Sequence, residues 1–290
     1  MKRQSVIKWI MAVRPRTLPA SACPVIAAGA YAWYFGMQDW AILAICLVFA
    51  LLAQSAANMA NDYFDFKSGA DNDDRVGPRR MVASGDIAPQ QVLRATIGML
   101  AVASAIGCVL VWLRGWELLP IGVAIVLFAV AYSAGPYPLA YNGLGDVAVI
   151  VFFGFAAVGL TYYVQVGSVN GYVWLGCVAL GLLIENIMLV NNYRDVESDA
   201  QTGKRTTVVM FGRSWVIPAY FANGIIAIGC VAALDWRIAL FFAPYLVLHT
   251  LTARKMAQRE GFALNPVLGE TARNLALFTL TLVIAVAVMK

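Results

Sequence analysis

The sequence has 290 residues, of which 61% are hydrophobic and 13% are charged, and its formal net charge is +5. An average soluble domain has roughly 45–50% apolar and about 25% charged residues. The composition therefore excludes an ordinary soluble domain and favours a chain embedded in a lipid bilayer.

Apolar stretches recur from end to end of the chain, and most are long enough to cross a hydrocarbon core of roughly 30 Å as a helix. The stretches are continuously apolar and do not alternate with a period of two, which disfavours a transmembrane β-barrel. The pattern predicts an all-α polytopic membrane protein with nine transmembrane helices, forming a single domain over residues 1–290. The predicted spans are Leu18–Tyr34, Trp40–Ala60, Val92–Leu113, Leu118–Tyr137, Asp146–Val166, Tyr172–Asn191, Val216–Leu234, Ile238–Leu251 and Asn274–Met289.

Lysine and arginine are distributed unevenly between the two ends of these helices. If the N-terminus is cytoplasmic, all but three of the 21 basic residues fall on the cytoplasmic side, the exceptions being Arg114, Arg237 and Lys290. The positive-inside rule then predicts a multi-pass protein of the cell (inner) membrane, with its N-terminus and its long polar loops in the cytoplasm. Because topology accounts for the positive charge, the charge does not indicate nucleic-acid binding. The apolar run after Lys2 and Arg3 is too short for a cleavable signal peptide.

Cysteine and histidine offer no evident site. The cysteines occur singly within the apolar spans without CxxC spacing, so we interpret them as small core hydrophobes. His249 is the only histidine and falls near a predicted helix end, which favours a structural role. The five cysteines are Cys23, Cys46, Cys108, Cys177 and Cys230.

Two polar segments, residues 61–91 and 192–215, are longer than the other connections, and both lie on the basic side. The first begins with NDYFD at Asn61, which aligns without a gap with NNYRD at Asn191, at an offset of 130 residues. That offset corresponds to four helices and predicts two related four-helix halves plus a ninth helix, arranged around a central cavity. Chance similarity between short polar loop starts is the alternative.

The carboxylates of these two acidic motifs have the spacing of a metal site. Asp62 and Asp65 are three residues apart, and Asp195 and Asp199 are four apart, so each pair would share one face of a helix, with Glu197 pointing elsewhere. Mg²⁺ prefers carboxylate oxygen and typically uses one or two protein carboxylates together with phosphate oxygens. With the basic residues that follow each motif, the pairs would form a clamp for a diphosphate.

Such a clamp suits the ionisation of an allylic diphosphate. Metal ions and basic side chains stabilise the charge that develops on the leaving group. The carbocation left behind needs a dry, apolar, aromatic-lined cavity, which a helical membrane bundle supplies. The alternative is that the acidic residues form a solvated surface paired with basic neighbours, and for Asp73, Asp74 and Asp86 both interpretations stay open.

At these residues the sequence resembles the UbiA superfamily of intramembrane prenyltransferases, whose pattern is an NDxxD-type motif after helix two and a DxxxD motif after helix six. Within that superfamily it is most similar to the 1,4-dihydroxy-2-naphthoate polyprenyltransferases of menaquinone synthesis. The similar stretches are RPRTLP from Arg14, NDYFDFKSGAD from Asn61 followed by DRVGP, GPYPLAYNGLGD from Gly135 and NNYRDVESDAQTGKRT from Asn191. Gly69 stands where the general superfamily pattern has a third Asp, and Asp71 follows two residues later.

The resemblance implies a site with Mg²⁺ as cofactor, in which Asp62, Asp65, Asp195 and Asp199 are catalytic metal ligands. It also implies a set of substrate-binding residues, among them three tyrosines near the aromatic acceptor. An interfacial aromatic belt is the alternative role for those tyrosines. The implied substrate-binding residues are Asn61, Asp71, Arg75, Tyr132, Tyr137, Tyr141, Asn191, Asn192, Lys204 and Arg205.

The implied reaction transfers a polyprenyl chain from polyprenyl diphosphate to 1,4-dihydroxy-2-naphthoate with loss of its carboxylate, giving demethylmenaquinol. An Asp free of metal is expected to act as general base, and the sequence does not say which one. Another aromatic acceptor, such as 4-hydroxybenzoate, is the nearest alternative. A CDP-alcohol phosphotransferase is disfavoured because the DGxxAR stretch is missing. A membrane transporter is disfavoured because few charges lie at mid-membrane.

Overall fold

The computed structural model describes residues 2–69, 79–132 and 135–290, and within these ranges the chain is helical without strands. The helix from Gly145 is continuous through α6, a π-helical stretch over Ile150–Leu160 and α7. The helices are α1 (Lys2–Val13), α2 (Pro19–Tyr34), α3 (Trp40–Ser68), α4 (Pro89–Arg114), α5 (Leu118–Ala131), α6 (Gly145–Val149), α7 (Thr161–Val166), α8 (Gly171–Gln201), α9 (Thr207–Phe211), α10 (Val216–Ala232), α11 (Ile238–Phe241), α12 (Ala243–Ala257) and α13 (Asn265–Met289).

Each predicted span overlaps a helix in the described part of the chain, which confirms the all-α membrane class. By length and composition, five segments of those residues are long and apolar enough to cross a bilayer. Leu118–Phe128 and Val216–Ala232 are shorter apolar helices. The count of nine spans and the two-half arrangement stay predictions. The five segments are Trp40–Ser68, Pro89–Arg114, Gly145–Val166, Gly171–Gln201 and Gly261–Met289.

Helices α3 and α8 continue beyond the predicted membrane boundary. Asp39 caps the start of α3 by accepting a hydrogen bond from the Ile42 amide at 3.0 Å, and Gly69 ends it with a φ of 74°. At the other long helix, Asn170 caps the start of α8 and the helix reaches Gln201. The prediction that the acidic motifs lie in loops is therefore wrong. The apolar pattern stops where a helix leaves the membrane, whereas the helix itself runs two or more turns further.

Small residues let the central helices approach closely. A Cβ at Gly154, in the π-helical stretch, would overlap the carbonyl oxygen of Cys177 and lie 3.1 Å from Cα of Gly181 on α8. A Cβ at Gly176 would lie 2.7 Å from the buried ring of Tyr31 on α2. These contacts hold α2, α8 and the helix from Gly145 together as the centre of the core, with α10 and α13 packed alongside.

A cavity of about 940 Å³ runs between these helices. Its walls come from α2, α3, α4, α5, the helix from Gly145 and α8, and they include Leu110 and Leu118 at the end remote from the acidic motifs. The aromatic part of the wall includes Phe128 and Phe152, whose ring centroids lie 4.3 Å apart. The polar part is formed by the C-terminal ends of α3 and α8.

Most of the residues expected to be structural are buried. His249 is buried and stacks against Tyr220 and Tyr245, with ring centroids 4.8 and 5.3 Å away. Among the cysteines, Cys23, Cys46 and Cys177 are buried and Cys230 is half-buried. The prediction of core burial is wrong for Cys108, which is exposed because it lies on α4 where that helix borders the cavity.

Candidate active site

The first acidic motif places its two carboxylates differently. Asp62 and Asp65 are one helical turn apart on α3, and both are buried. An oxygen of Asp62 accepts a hydrogen bond from the backbone N–H of Met81 at 3.1 Å. Asp65 accepts from the hydroxyl of Tyr141 at 3.0 Å, and its other oxygen lies 3.4 Å from the Arg80 guanidinium. Of the two, Asp65 lines the cavity, whereas Asp62 is turned toward the segment that follows residue 79.

Two guanidinium groups border this motif. The side-chain oxygen of Asn61 accepts hydrogen bonds from Arg14 at 3.2 Å and from Arg80 at 2.8 Å. All three residues line the cavity. Arg14 is the non-glycine residue with a left-handed backbone, at a φ of 56°, in the described part of the chain. Sequence reasoning did not assign a site role to Arg14 or Arg80, although RPRTLP was among the stretches that carried the resemblance.

The second acidic motif is organised by a buried arginine. Arg194 forms a bidentate pair with Asp195, at 2.7 and 2.6 Å. The same guanidinium donates to the side-chain oxygens of Asn191 at 2.6 Å and Asn265 at 2.9 Å. One turn further along α8, Asp199 is buried and lies 3.7 Å from the ammonium of Lys204. The last turns of α8 therefore present two carboxylates to the cavity, each with a basic partner.

The prediction that Glu197 points elsewhere is confirmed. Its carboxylate is exposed and pairs with Arg213 at 2.9 Å, outside the cavity. Spacing on the helix explains the difference, because residue 197 lies about 200° around the axis from residue 195.

Tyr141 connects the two acidic motifs. Its hydroxyl donates to Asp65, and the ammonium of Lys204, the partner of Asp199, lies 4.8 Å from the centre of its ring. Its carbonyl accepts a hydrogen bond from the backbone N–H of Arg205 at 3.0 Å. Burial and the neighbouring Asp65 carboxylate raise the pKa of Tyr141 well above its ordinary value, so its hydroxyl stays protonated and continues to donate. The ends of α3 and α8 thus face each other across this ring.

Asp146 is a site residue that sequence reasoning missed. It lies in the first turn of α6, is buried and lines the cavity. Its oxygens accept hydrogen bonds from Asn192 at 3.3 Å and from Thr207 at 2.7 Å. A signal was present in the sequence, because Asp146 is a charged residue at the start of an apolar span and ends the stretch GPYPLAYNGLGD.

The structure brings together most of the predicted site residues, but not all of them. Tyr137 is 60% exposed and does not reach the cavity in the described structure, so the expectation that it binds substrate is not supported, and its position fits the interfacial alternative. Arg205 contributes its backbone while its side chain is exposed. Asp71 and Arg75 lie outside the described residues. The predicted residues that line the cavity are Asn61, Asp65, Tyr132, Asn191, Asn192, Asp195, Asp199 and Lys204.

The donor chemistry of the cavity mouth fits Mg²⁺ held jointly with a diphosphate. No three carboxylate, thiol or imidazole groups of the described residues come together as a metal centre made of protein ligands alone. Mg²⁺ does not require such a cluster, because it typically uses one or two carboxylates and takes further oxygens from phosphate and water. Asp65, Asp195 and Asp199 supply those carboxylates around one cavity. Each also contacts a basic side chain, and of these Arg80 and Lys204 would share the same phosphate oxygens.

Comparison with known proteins places these observations in a family. The model of the UbiA prenyltransferase family matches residues 22–261. A relative from Mycobacterium tuberculosis named 1,4-dihydroxy-2-naphthoate octaprenyltransferase is 35% identical, over 98% of both chains. A relative of the same name from Escherichia coli is 32% identical, over 96% of this chain and 94% of that one.

A solved structure has the same fold. The UbiA homologue from Archaeoglobus fulgidus, bound to DMAPP and Mg²⁺, superposes with a TM-score of 0.68, covering 97% of this chain and 99% of that chain. Its sequence identity is 16%, so this likeness concerns the fold alone.

Proposed function

Because the chain belongs to the UbiA prenyltransferase family, we propose that it is an aromatic polyprenyltransferase that uses 1,4-dihydroxy-2-naphthoate as acceptor. It transfers the polyprenyl group of a polyprenyl diphosphate to the ring with loss of the carboxylate, which gives demethylmenaquinol for menaquinone synthesis. Relatives that carry this activity in their name, and that align over nearly the whole chain, support the choice of acceptor. The observation that carries the proposal is one cavity with carboxylates and basic side chains at its mouth and an apolar, aromatic interior.

The cavity mouth binds the diphosphate. Arg14, Arg80 and Lys204 line it and provide positive charge for the phosphate oxygens. Asn61 holds the two guanidinium groups in place, at 3.2 and 2.8 Å, so their positions are fixed before substrate binds. Such preorganised charge stabilises the leaving diphosphate more than it stabilises the bound substrate.

Asp65, Asp195 and Asp199 would hold Mg²⁺. Asp62 would instead stabilise the first motif by accepting a hydrogen bond from the Met81 backbone. When bound, the metal neutralises charge on the diphosphate and so makes it a better leaving group. Arg80, Arg194 and Lys204 each lie within 4 Å of one of these carboxylates and help to orient it. The family pattern assigned Asp62 to the metal as well, but its oxygen holds the Met81 amide and it lies behind Asp65.

The apolar interior protects the reacting carbon from water. Phe128, Phe152 and Phe153 line the cavity beside aliphatic residues. Aromatic faces stabilise a nearby cation, and the aliphatic wall accommodates the isoprenoid tail. The proposal includes a single domain of nine transmembrane helices in the cell membrane, with the cavity mouth on the cytoplasmic side.

A two-acceptor assay tests the proposal. The purified protein in lipid nanodiscs is given one polyprenyl diphosphate, Mg²⁺ and equal amounts of 1,4-dihydroxy-2-naphthoate and 4-hydroxybenzoate, and the products are identified by mass spectrometry. We expect prenylated, decarboxylated naphthol, and we expect chelation of Mg²⁺ to abolish it. Asp199→Asn is the matched variant, with a loss of at least about 100-fold expected. Turnover of the benzoate alone would refute the naphthoate assignment, and turnover of neither acceptor would refute the aromatic transferase.

A further inference from the structure

We infer that Asp146 is the general base of the reaction, taking the proton of the acceptor hydroxyl as the ring attacks. The inference deepens the proposed function and rests on it. Family resemblance assigns this residue no role, and the structure brings it into the cavity from a helix that carries neither acidic motif.

The position of Asp146 suits contact with the acceptor. The residue is 6% exposed and lies on the wall of the cavity. Gly145 directly precedes Asp146, and a Cβ placed on Gly145 would lie 3.7 Å from the hydroxyl of Tyr132. Asp146 therefore lies close to an aromatic side chain of the cavity wall. Met188, which accepts the Tyr132 hydroxyl at 3.6 Å, belongs to the same lining. A flat ring placed against this wall would bring a hydroxyl to the carboxylate.

The carboxylate of Asp146 differs from the others in the cavity because it has no basic partner within 4.0 Å among the described residues. Asp65, Asp195 and Asp199 each lie beside an arginine or lysine. A carboxylate that shares its charge with a cation is a weak base, whereas one that contacts only neutral donors keeps its affinity for a proton. Among the described residues that line the cavity, Asp146 is therefore the carboxylate that no paired cation holds in its ionised form.

Two neutral donors fix the orientation of Asp146 without occupying all of its hydrogen-bond acceptor positions. Asn192 donates to one oxygen at 3.3 Å and Thr207 donates to the other at 2.7 Å. A carboxylate offers about four acceptor positions, so about two are left for the substrate. Catalytic bases are usually oriented by a hydrogen bond from another side chain, and Asn192 and Thr207 supply such bonds to Asp146.

The titratable groups that interact electrostatically with Asp146 include a phenol and an acid. Tyr132 approaches it from the end of α5, and Glu185 comes from α8. The cations Arg194 and Lys204 line the same cavity, and each is paired with a carboxylate of the second acidic motif. Thr207 on α9 is neutral. Glu185 is held by the amide of Asn223 at 3.2 Å, and it is not among the described residues that line the cavity.

The proposed step is an alkylation of the ring with loss of CO₂. The hydroxyl proton passes to Asp146, and the ring carbon that bears the carboxylate forms a bond to C1 of the prenyl group as the C–O bond to diphosphate breaks. The ring then loses CO₂, the electron pair of that bond restores aromaticity, and the proton returns from Asp146 to the oxygen. No oxidant or reductant is needed.

The test is the pH dependence of Asp146→Asn. Asparagine keeps the shape and an acceptor for Thr207 but cannot take a proton, so kcat at neutral pH should fall by about 100-fold or more. The deficit should shrink at least tenfold as pH rises and the acceptor hydroxyl ionises in solution. Binding of a non-hydrolysable prenyl diphosphate analogue and the Mg²⁺ concentration for half-maximal rate should stay within about twofold of wild type.

Controls separate a base from a residue that only positions its neighbours. Thr207→Val removes one hydrogen bond to Asp146 and leaves the carboxylate, so a small loss without pH recovery is expected. Asp146→Glu retains the base and should keep more activity than Asp146→Asn. Near-wild-type kcat for Asp146→Asn, an equal deficit at every pH, or a raised Mg²⁺ requirement would each overturn the inference. Failure of the proposed function itself differs, because the wild type would then turn over no hydroxyaromatic acceptor.

Discussion

The two carboxylates of the first acidic motif have different partners although they are only three residues apart. Asp62 is committed to the backbone N–H of Met81, while Asp65 faces the cavity between Tyr141 and Arg80. A pattern of two aspartates on one helical face does not distinguish these roles, because the distinction depends on which segment returns to cover the helix. The segment after residue 79 contacts both carboxylates, but it holds Asp62 through the Met81 backbone, whereas Asp65 lines the cavity.

This division predicts different phenotypes for two alanine variants. Asp62→Ala leaves the buried Met81 amide without that partner, which costs about 1–3 kcal/mol, so it should lower thermal stability as well as activity. Asp65→Ala should lower kcat by about 100-fold or more with a smaller change in stability, because Arg80 keeps its bond to Asn61. Thermal unfolding in detergent and steady-state kinetics check both. Asp62→Asn is the control, since its amide oxygen still accepts from Met81 and most of the stability should return.

Tyr141 gives a second prediction at this scale. Tyr141→Phe removes the hydrogen bond to Asp65 and keeps the ring beside Lys204, so kcat should fall by about 5- to 30-fold. Because burial raises the pKa of Tyr141, the hydroxyl is protonated at every pH below that raised value, and its contribution is lost only as pH rises through it. The deficit should therefore be constant between pH 6 and 9. If the loss of kcat in Tyr141→Phe disappeared within that pH range, the Tyr141 hydroxyl could not be acting as a protonated hydrogen-bond donor.

Which site residues are predictable from the sequence depends on whether their role is local. The carboxylates of α3 and α8 and the basic Lys204 were accessible, because a repeated motif with helical spacing marks them. The contacts of Asp146, Arg14 and Arg80 were not, although Asp146 and Arg14 stand in recognisable stretches, because these contacts join residues 46, 47 and 19 positions apart. Neither residue spacing nor hydropathy predicts such pairings, because they depend on how the helices pack.

Among the elements, the helix from Gly145 forms part of the cavity wall, and glycine decides how closely it approaches α8. At Gly154 a methyl group would meet the Cys177 carbonyl and the backbone of Gly181. The atoms in the way are backbone, which cannot turn aside as a flexible side chain can. Hydropathy predicted the existence of both helices, but nothing in it predicted this contact.

Gly154→Ala should therefore separate the two helices. Overpacking of this kind costs about 1–3 kcal/mol, so we expect a lower melting temperature and reduced activity. Gly98→Ala on α4 is the matched control, because nothing lies within 4 Å of the added methyl group. Alanine also favours helix by up to about 1 kcal/mol, so the control should be neutral or slightly stabilising. Equal melting temperatures for the two variants would show that the contact at Gly154 relaxes without cost.

At the scale of the whole molecule, the site and the basic residues lie at the same end of the helical bundle. Both acidic motifs are at the C-terminal ends of α3 and α8, and Arg14, Arg80, Arg194 and Lys204 line the cavity there. We propose that the uneven distribution of lysine and arginine serves two purposes. It would orient the chain in the membrane, and it would place positive charge where an anionic substrate enters.

The orientation of the bundle is testable with a pair of serine-to-cysteine variants. Ser168 is exposed between α7 and α8, at the end remote from the site, and Ser214 is exposed between α9 and α10, at the site end. Cys108 and Cys230 are first replaced by serine, since the other three cysteines are buried. In sealed right-side-out vesicles, a membrane-impermeant maleimide should label Ser168→Cys and not Ser214→Cys, and inside-out vesicles should give the reverse. The opposite labelling would place the cavity mouth outside the cytoplasm, and the basic residues would then owe their position to substrate binding alone.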